Sequence, residues 1–376
     1  MVTRVGMVAT RCQPEIGGIE SHVAEVAGRL VAQGYELEIL TTDRSGDLPR
    51  VERSDEGYVI RRFRAYPAGR DWYLSPGLFL AALRADYDLV HVQGVHTLVP
   101  PLAMLAALLR RRPYLLTFHT GGNSSSFRER ARSTQWRLLA PLLRRADRLI
   151  GVSVFEGRRF DDVLGWAPGT ITVIRNGGSL PVVGDPAHPV ARVPGRIVSV
   201  GRVERYKGHH RAIEALPHLL ETHPEAHVQI LGSGPYEPDL RALADSLGVA
   251  DRVTVEFIPP VDRALMGERM ASASVMTLLS DYEAHPVAVM EALTAGTPAV
   301  VSRTSGLTEL ADMGWTVGVD QHATPQETAA AIPRQLDDPV LPDASILPTW
   351  ETCVAGVADT YDSIVKESSR RQLGAG

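Results

Sequence analysis

Short apolar, β-branched runs alternate with amphipathic stretches of helical period along the whole chain, the pattern of a parallel sheet wrapped by helices. In the first half the runs are Val5–Ala9, Leu37–Leu40, Tyr58–Phe63, Leu89–Val92, Tyr114–Phe118, Leu149–Val152 and Ile171–Ile174. The series restarts with Ile197–Val200, His227–Leu231, Val253–Phe257, Val275–Leu279, Ala299–Val301 and Thr316–Val319. Between the two lies Gly177 to Gly195, where Pro181, Pro186, Pro189 and Pro194 exclude helix and central strand and so mark a linker. The pattern predicts an α/β chain of two doubly wound, Rossmann-like domains, 1–178 and 196–349, joined by a linker over 179–195. A last helical pattern over 350–372 follows the second domain in sequence and is free to pack back on the first. Sheets of this kind bind ligands beyond the carboxyl ends of their strands, so the informative residues are expected there.

The length of 376 residues suits two domains with cores of their own. A net charge of −5 gives no general attraction to nucleic acid, so any polyanion has to be met locally. Only two cysteines occur, Cys12 and Cys353, which fits a reducing compartment. The first residues run directly into a strand without the features of a signal peptide, and a cytoplasmic protein is expected. The longest apolar run, Leu98 to Leu109, is interrupted by Pro100 and Pro101 and falls short of the about 20 residues that span a bilayer. Lysine occurs only at Lys207 and Lys366; every other basic side chain is arginine, a skew that a GC-rich genome explains.

Three strand ends carry candidate chemistry. After the first strand, Gly17-Gly18 precedes an amphipathic helix, and paired glycines let backbone N–H groups approach an anion; a tight turn without a ligand explains them equally well. Arg202 directly follows Ile197–Val200, with Lys207-Gly208 five residues on. A planar fork and a point charge beside a glycine suit a diphosphate, and one of the two lysines stands there where another arginine would serve as a surface charge. The third end reads Asp281-Tyr282-Glu283-Ala284-His285-Pro286 and continues to Gly296-Thr297-Pro298. Pro286 suits the first position of a short helix and Gly296 its C-terminal cap. On that helix Glu291 lies among Val287, Met290, Ala292 and Leu293, where a buried carboxylate without partners is costly and sugar or ribose hydroxyls would satisfy it. Glu283 sits before the helix, beside the N-terminal amides of Val287, Ala288 and Val289, which can donate to a ligand.

Two glutamates eight positions apart before Ala295-Gly296-Thr297-Pro298-Ala299-Val300-Val301 resemble the signature of glycosyltransferase family 4. Gly17-Gly18-Ile19-Glu20, Phe118-His119-Thr120, Asn176-Gly177, Val200-Gly201-Arg202 with Lys207-Gly208, and Gly232-Ser233-Gly234-Pro235 extend the resemblance over nearly the whole chain. It implies a GT-B fold, two Rossmann-like domains facing across a cleft, and a retaining transfer from a nucleoside diphosphate sugar. It further implies Arg202 and Lys207 as ligands of the donor diphosphate, Glu291 as acceptor of ribose hydrogen bonds, Glu283 as a contact to the donor sugar, and Gly17 and Gly18 on the phosphate and acceptor side. His119 corresponds to a histidine that touches the donor sugar; a buried structural histidine is the plainer reading of the same residue. The chain has Ala284-His285 where many relatives have Gly-Phe, so His285 is counted with a differently shaped donor pocket, together with Val287 and Ala288.

No nucleophile or base stands out, which agrees with a front-face mechanism in which the leaving phosphate helps to deprotonate the acceptor. No metal and no separate cofactor are expected, because the cations meet the diphosphate directly. Asp86-Tyr87-Asp88 spells a metal motif but precedes a strand, so Asp88 reads as a strand-entry acid. Asn123-Ser124-Ser125 carries no meaning in the cytoplasm, and His209-His210 and His285 lack a metal-binding spacing. A nucleotide-sugar epimerase and a non-catalytic sugar-binding protein remain alternatives. The partners expected are a nucleotide sugar and a small acceptor, with no nucleic acid and no integral membrane contact. Ser126 and Glu129 open a helix bearing Phe127, Ala131, Trp136, Leu138, Leu139, Leu142 and Leu143 among arginines that include Arg130, Arg137 and Arg144. A surface for anionic lipid is one reading and peripheral association stays open; Pro141 and the negative net charge favour leucines packed on the first sheet and a small soluble acceptor.

Overall fold

The computed structural model describes residues 2–15, 17–70, 72–120, 126–181, 184–185 and 188–373. Every strand expected from the pattern is present. Two compact units emerge, one from the described parts of Met1–Thr120, Ser125–Arg175 and Trp350–Gly376, the other from those of Asn176–Thr349.

The first unit contains β1 (Arg4–Ala9), α1 (Gly18–Ala32), β2 (Glu36–Asp43), β3 (Val51–Arg53), β4 (Val59–Arg64), α2 (Pro76–Arg84), β5 (Leu89–Gln93), α3 (Val99–Leu109), β6 (Tyr114–Thr117), α4 (Ser126–Leu143), β7 (Arg148–Gly151), α5 (Val154–Leu164) and β8 (Thr172–Val173). Its sheet runs β3-β4-β2-β1-β5-β6-β7-β8, parallel except for β3 at the edge. Sequence pattern misses β3 because Val51, Glu52 and Arg53 are all exposed, leaving no apolar period to read. Pro100 and Pro101 begin the largely buried helix α3 and do not break the apolar run; in a first helical turn a missing N–H costs nothing. Likewise α4 continues through Pro141. Trp136, Leu139 and Leu143 join the core while Leu138 stays exposed, so most of the described part of this stripe packs inward. The side chains of Ser126, Phe127, Glu129, Arg130 and Ala131, and the segment Asn123-Ser124-Ser125, lie outside the described residues. Asp88 is a strand-entry acid: its carboxylate accepts from Arg4 N–H at 2.8 Å, and its own N–H donates to Arg4 O.

A short antiparallel strand pair, β9 (Gly184–Asp185) with β10 (His188–Pro189), lies in the linker stretch. The second unit then runs β11 (Arg196–Val200), α6 (His209–Leu219), β12 (His227–Leu231), α7 (Glu237–Ser246), β13 (Val253–Glu256), α8 (Arg263–Ala271), β14 (Val275–Leu278), α9 (Val287–Thr294), β15 (Ala299–Arg303), α10 (Ser305–Asp312), β16 (Val317–Asp320) and α11 (Pro325–Asp337). The all-parallel order β13-β12-β11-β14-β15-β16 places its topological switch point between β11 and β14. In the first sheet the corresponding point lies between β1 and β5.

The last helix, α12 (Trp350–Leu373), belongs to the first unit although it follows the second sheet in sequence. Trp350, Val354, Val357, Tyr361 and Ile364 form a buried stripe at helical spacing, and Tyr361 Oη lies 2.6 Å from His91 Nδ1 on β5. Among the described residues no helix is long and apolar enough to cross a membrane.

Candidate active site

In the second unit both loops at the switch point carry predicted site residues, and they are laced together. Arg202 leaves β11, and a single turn of 3-10 helix, Arg205–Lys207, leads to Gly208. Gly208 has φ of 74°, and a Cβ there would lie 1.9 Å from Leu279 O at the end of β14, so only glycine lets the two loops close up. Asp281 N–H donates to Tyr206 O at 2.8 Å, and the rings of Tyr206 and Tyr282 stack with centroids 4.9 Å apart. Arg211, nearly buried, donates to Leu279 O, Ser302 Oγ and Asp320 O, tying the carboxyl ends of β14, β15 and β16 to α6.

Lys207 Nζ and Glu283 Oε1 stand 2.6 Å apart, with side chains 17% and 13% exposed, and Ser280 Oγ also donates to Glu283. Burial pulls the Lys207 pKa down, but the Glu283 carboxylate and Tyr206 together outweigh it and the net shift is upward, so the ammonium stays charged. Arg202 pairs with Glu204 at 2.9 Å and donates to Tyr206 Oη at 2.8 Å. The Glu283 loop is braced from several sides: Thr304 Oγ1 and Gln321 Nε2 donate to Asp281 O, Gly306 N–H donates to Glu283 O, and Asn176 Nδ2 donates to His285 O.

Pro286 proves to be the N-cap of α9 rather than its first residue, and Gly296, with φ of 77°, follows the helix end. Eight residues are too few for a stable isolated helix, so α9 is held by burial of Val289, Met290, Ala292 and Leu293. Val287 is buried and Ala288 partly exposed at its first turn, where amides lack intrahelical acceptors. Glu291 is buried as expected, yet its carboxylate has a protein partner: Arg263 Nη2 lies 2.6 Å from Oε1 and also donates to Ser179 O. This corrects the sequence argument that a ligand is needed to satisfy Glu291; the acid meets the cost of burial with a guanidinium contributed by α8. A Cβ on Gly178 would lie 2.5 Å from Glu291 N, so the Asn176-Gly177-Gly178 stretch is part of the scaffold beneath α9. Arg263, Ser280 and Tyr206 escaped the sequence reading, since long-range pairing leaves no local spacing; Asn176-Gly177 was the one visible signal.

His119, Gly17 and Gly18 belong to the first unit. Partly exposed His119 follows β6, its Nε2 2.8 Å from Gln93 Oε1 and its ring edge-on to His22 at 4.7 Å. Burial, then the neighbouring His22, His96 and His91, hold it well below the usual histidine range and therefore neutral. Next to it, Thr120 N–H and Val152 N–H both donate to the buried Glu156 carboxylate, whose pKa burial pushes up to about 7. Gly17 is the N-cap of α1 with extended backbone; a Cβ there would meet the Glu20 carboxylate, whereas Gly18 borders open space. Glu20 in turn lies 3.6 Å from Arg11. Among the described residues no three His, Cys, Asp or Glu side chains converge as a metal ligand set.

Two family models match the chain. Glycosyltransferase Family 4 matches residues 16–179, and Glycosyl transferases group 1 matches residues 188–346. The glycogen synthase of Mycobacterium tuberculosis is 31% identical over 89% of this chain and 86% of its own length. The chain belongs to glycosyltransferase family 4. A D-inositol 3-phosphate glycosyltransferase from Nocardiopsis dassonvillei is 28% identical to this glycosyltransferase over 96% of its chain and 94% of the relative. Among solved structures, sucrose-phosphate synthase from Thermosynechococcus elongatus superposes with a TM-score of 0.76 at 20% identity, covering 100% of both chains. Anabaena HepE, solved with UDP and glucose, gives 0.74 at 19% identity over 96% of this glycosyltransferase and 100% of HepE. The fold is therefore GT-B, and these matches do not favour the epimerase or sugar-binding alternatives.

Proposed function

We propose that the enzyme moves a sugar from a nucleoside diphosphate donor to a hydroxyl of a small polar acceptor, with retention of configuration and without a metal ion. The observation that carries this reading is the Lys207–Glu283 pair beside Arg202 at the switch point of the second sheet. A diphosphate arriving there supplies Lys207 with a replacement anion and releases Glu283 to accept from a sugar hydroxyl. Arg202 and Lys207 then face the oxygens on which charge develops as the glycosidic bond breaks, the place where fixed charge lowers the barrier most. Glu291, oriented by Arg263, accepts from ribose hydroxyls, and the free amides at the start of α9, at Val287 and Ala288, face the donor. Neutral His119 is a hydrogen-bonding group for the sugar rather than a cation. The Nocardiopsis dassonvillei relative, a D-inositol 3-phosphate glycosyltransferase, supports a small polyol phosphate as acceptor, and the ligands of HepE put UDP first among the donors to try.

Titration with UDP, GDP and ADP, followed by turnover of the corresponding sugar nucleotides, tests the reading. One of the three is expected to bind, and the NMR coupling constant of the new linkage is expected to match the donor anomer. Failure of all three to bind removes the donor assignment. Turnover lost in EDTA and restored by magnesium or manganese overturns the metal-independent part.

A further inference from the structure

Resting on that reading of the donor site, we infer that Tyr206, stacked on Tyr282, is a positioning residue that sets the two diphosphate cations and Glu283 in register. Tyr206 reaches each of these groups through a different part of itself. Its hydroxyl accepts from Arg202 Nη2 at 2.8 Å. Its ring lies 5.4 Å from Lys207 Nζ, within the range of a cation–π contact. Its carbonyl accepts from Asp281 N–H at 2.8 Å, and its ring plane is 9° from that of Tyr282, the residue immediately before Glu283.

The loop needs such a device. Residues 205–207 form one turn of 3-10 helix, a geometry with weak internal bonds, and Arg and Lys side chains are among the most costly to immobilise. The ion pair of Arg202 with Glu204 joins side chains 40% and 34% exposed, so water competes with it. The Tyr206 hydroxyl gives the guanidinium a second, neutral anchor that does not compete with phosphate for charge. The stack couples the loop after β11 to the loop after β14 by an apolar contact that ligand exchange at Lys207 leaves intact.

Two substitutions separate the parts. Tyr206→Phe removes only the anchor on Arg202, and Tyr282→Leu removes the stack, with Tyr282→Phe as the conservative control that keeps a ring. The probes are UDP and UMP, or the guanine or adenine pair if wild type prefers that base. Tyr206→Phe is expected to weaken diphosphate binding about threefold to tenfold, the range of one modest hydrogen bond, with monophosphate binding and thermal midpoint unchanged. Tyr282→Leu is expected to lower kcat more than it raises the donor KM, and Tyr282→Phe to retain most turnover. Equal diphosphate affinity in wild type and Tyr206→Phe, or equal losses for diphosphate and monophosphate, overturns the inference alone. Equal turnover of Tyr282→Leu and Tyr282→Phe overturns the role of the stack. If wild type binds none of the diphosphates, the donor-site reading falls and this inference with it.

Discussion

On β5 and just after β6 of the first sheet histidines are held neutral, whereas beyond the carboxyl end of the second sheet a lysine and an arginine are held in ion pairs. In the first, His91 is fully buried, bonded to Tyr361 and Thr117, and burial pushes its pKa down to about 3; His119 is shifted the same way. In the second, Lys207 faces Glu283 and Arg263 faces Glu291. Burial is thus met in two ways: an imidazole sheds its proton, whereas Lys207 and Arg263 keep theirs against a carboxylate. The difference teaches that fold alone does not assign chemistry to a strand end. The Lys207 pair offers phosphate a partner, and the neutral histidines suit uncharged hydroxyl ligands.

Acid is expected to break the comparison most strongly. His91, and His209 in the second unit, pushed down to about 4, stay neutral in the folded chain while unfolded histidine takes a proton near pH 6.5. The unfolded state therefore binds more protons below that pH, and stability is full above it and lost as pH falls towards 4, by on the order of several kcal/mol. Glu156, pushed up to about 7, works in the opposite sense between about 4.5 and 7, because its folded form binds the extra proton. Glu156→Gln should thus steepen the acid loss. Thermal midpoints measured from pH 8 to pH 4 check both signs, and a flat profile rules out the neutral histidine network.

Lys207→Ala tests the charged end directly. Removing a charge-assisted contact worth about 1.5–3 kcal/mol should weaken nucleoside diphosphate affinity about 10- to 100-fold. Calorimetric titration reads this, and unchanged affinity would falsify the phosphate assignment. Glu291→Gln keeps the shape and one acceptor for Arg263, so the fold should persist while nucleotide affinity falls by about 1 kcal/mol. Unfolding with binding retained makes Glu291 purely structural. The smallest effect is expected from His119→Ala, which should lower turnover yet leave nucleoside diphosphate affinity unchanged, since that probe carries no sugar. A matching loss of diphosphate affinity would erase the contrast between the two ends.

Much of this organisation was legible beforehand. Apolar period located the strands, because burial on both faces of a parallel sheet imposes continuous β-branched runs. Lys207 stood out against an arginine-rich background, and Glu283 and Glu291 by their spacing before a glycine-ended helix. The exposed strand β3 left no such trace, and Pro100 and Pro101, read as an interruption of the apolar run, stand in the first turn of α3.

The sequence by itself determined the two sheets, their strand ends and the residue types placed there, because these follow from local periodicity and chain order. Tertiary structure decided the partners. That Arg263 neutralises Glu291, that Asn176 and Gly178 support α9, that Tyr206 meets Tyr282, and that α12 joins the first unit through Tyr361 and His91 depend on segments far apart in sequence. Such pairings are fixed by packing and by the cost of leaving buried polar groups unmet, a condition on the whole fold that no single window of sequence contains.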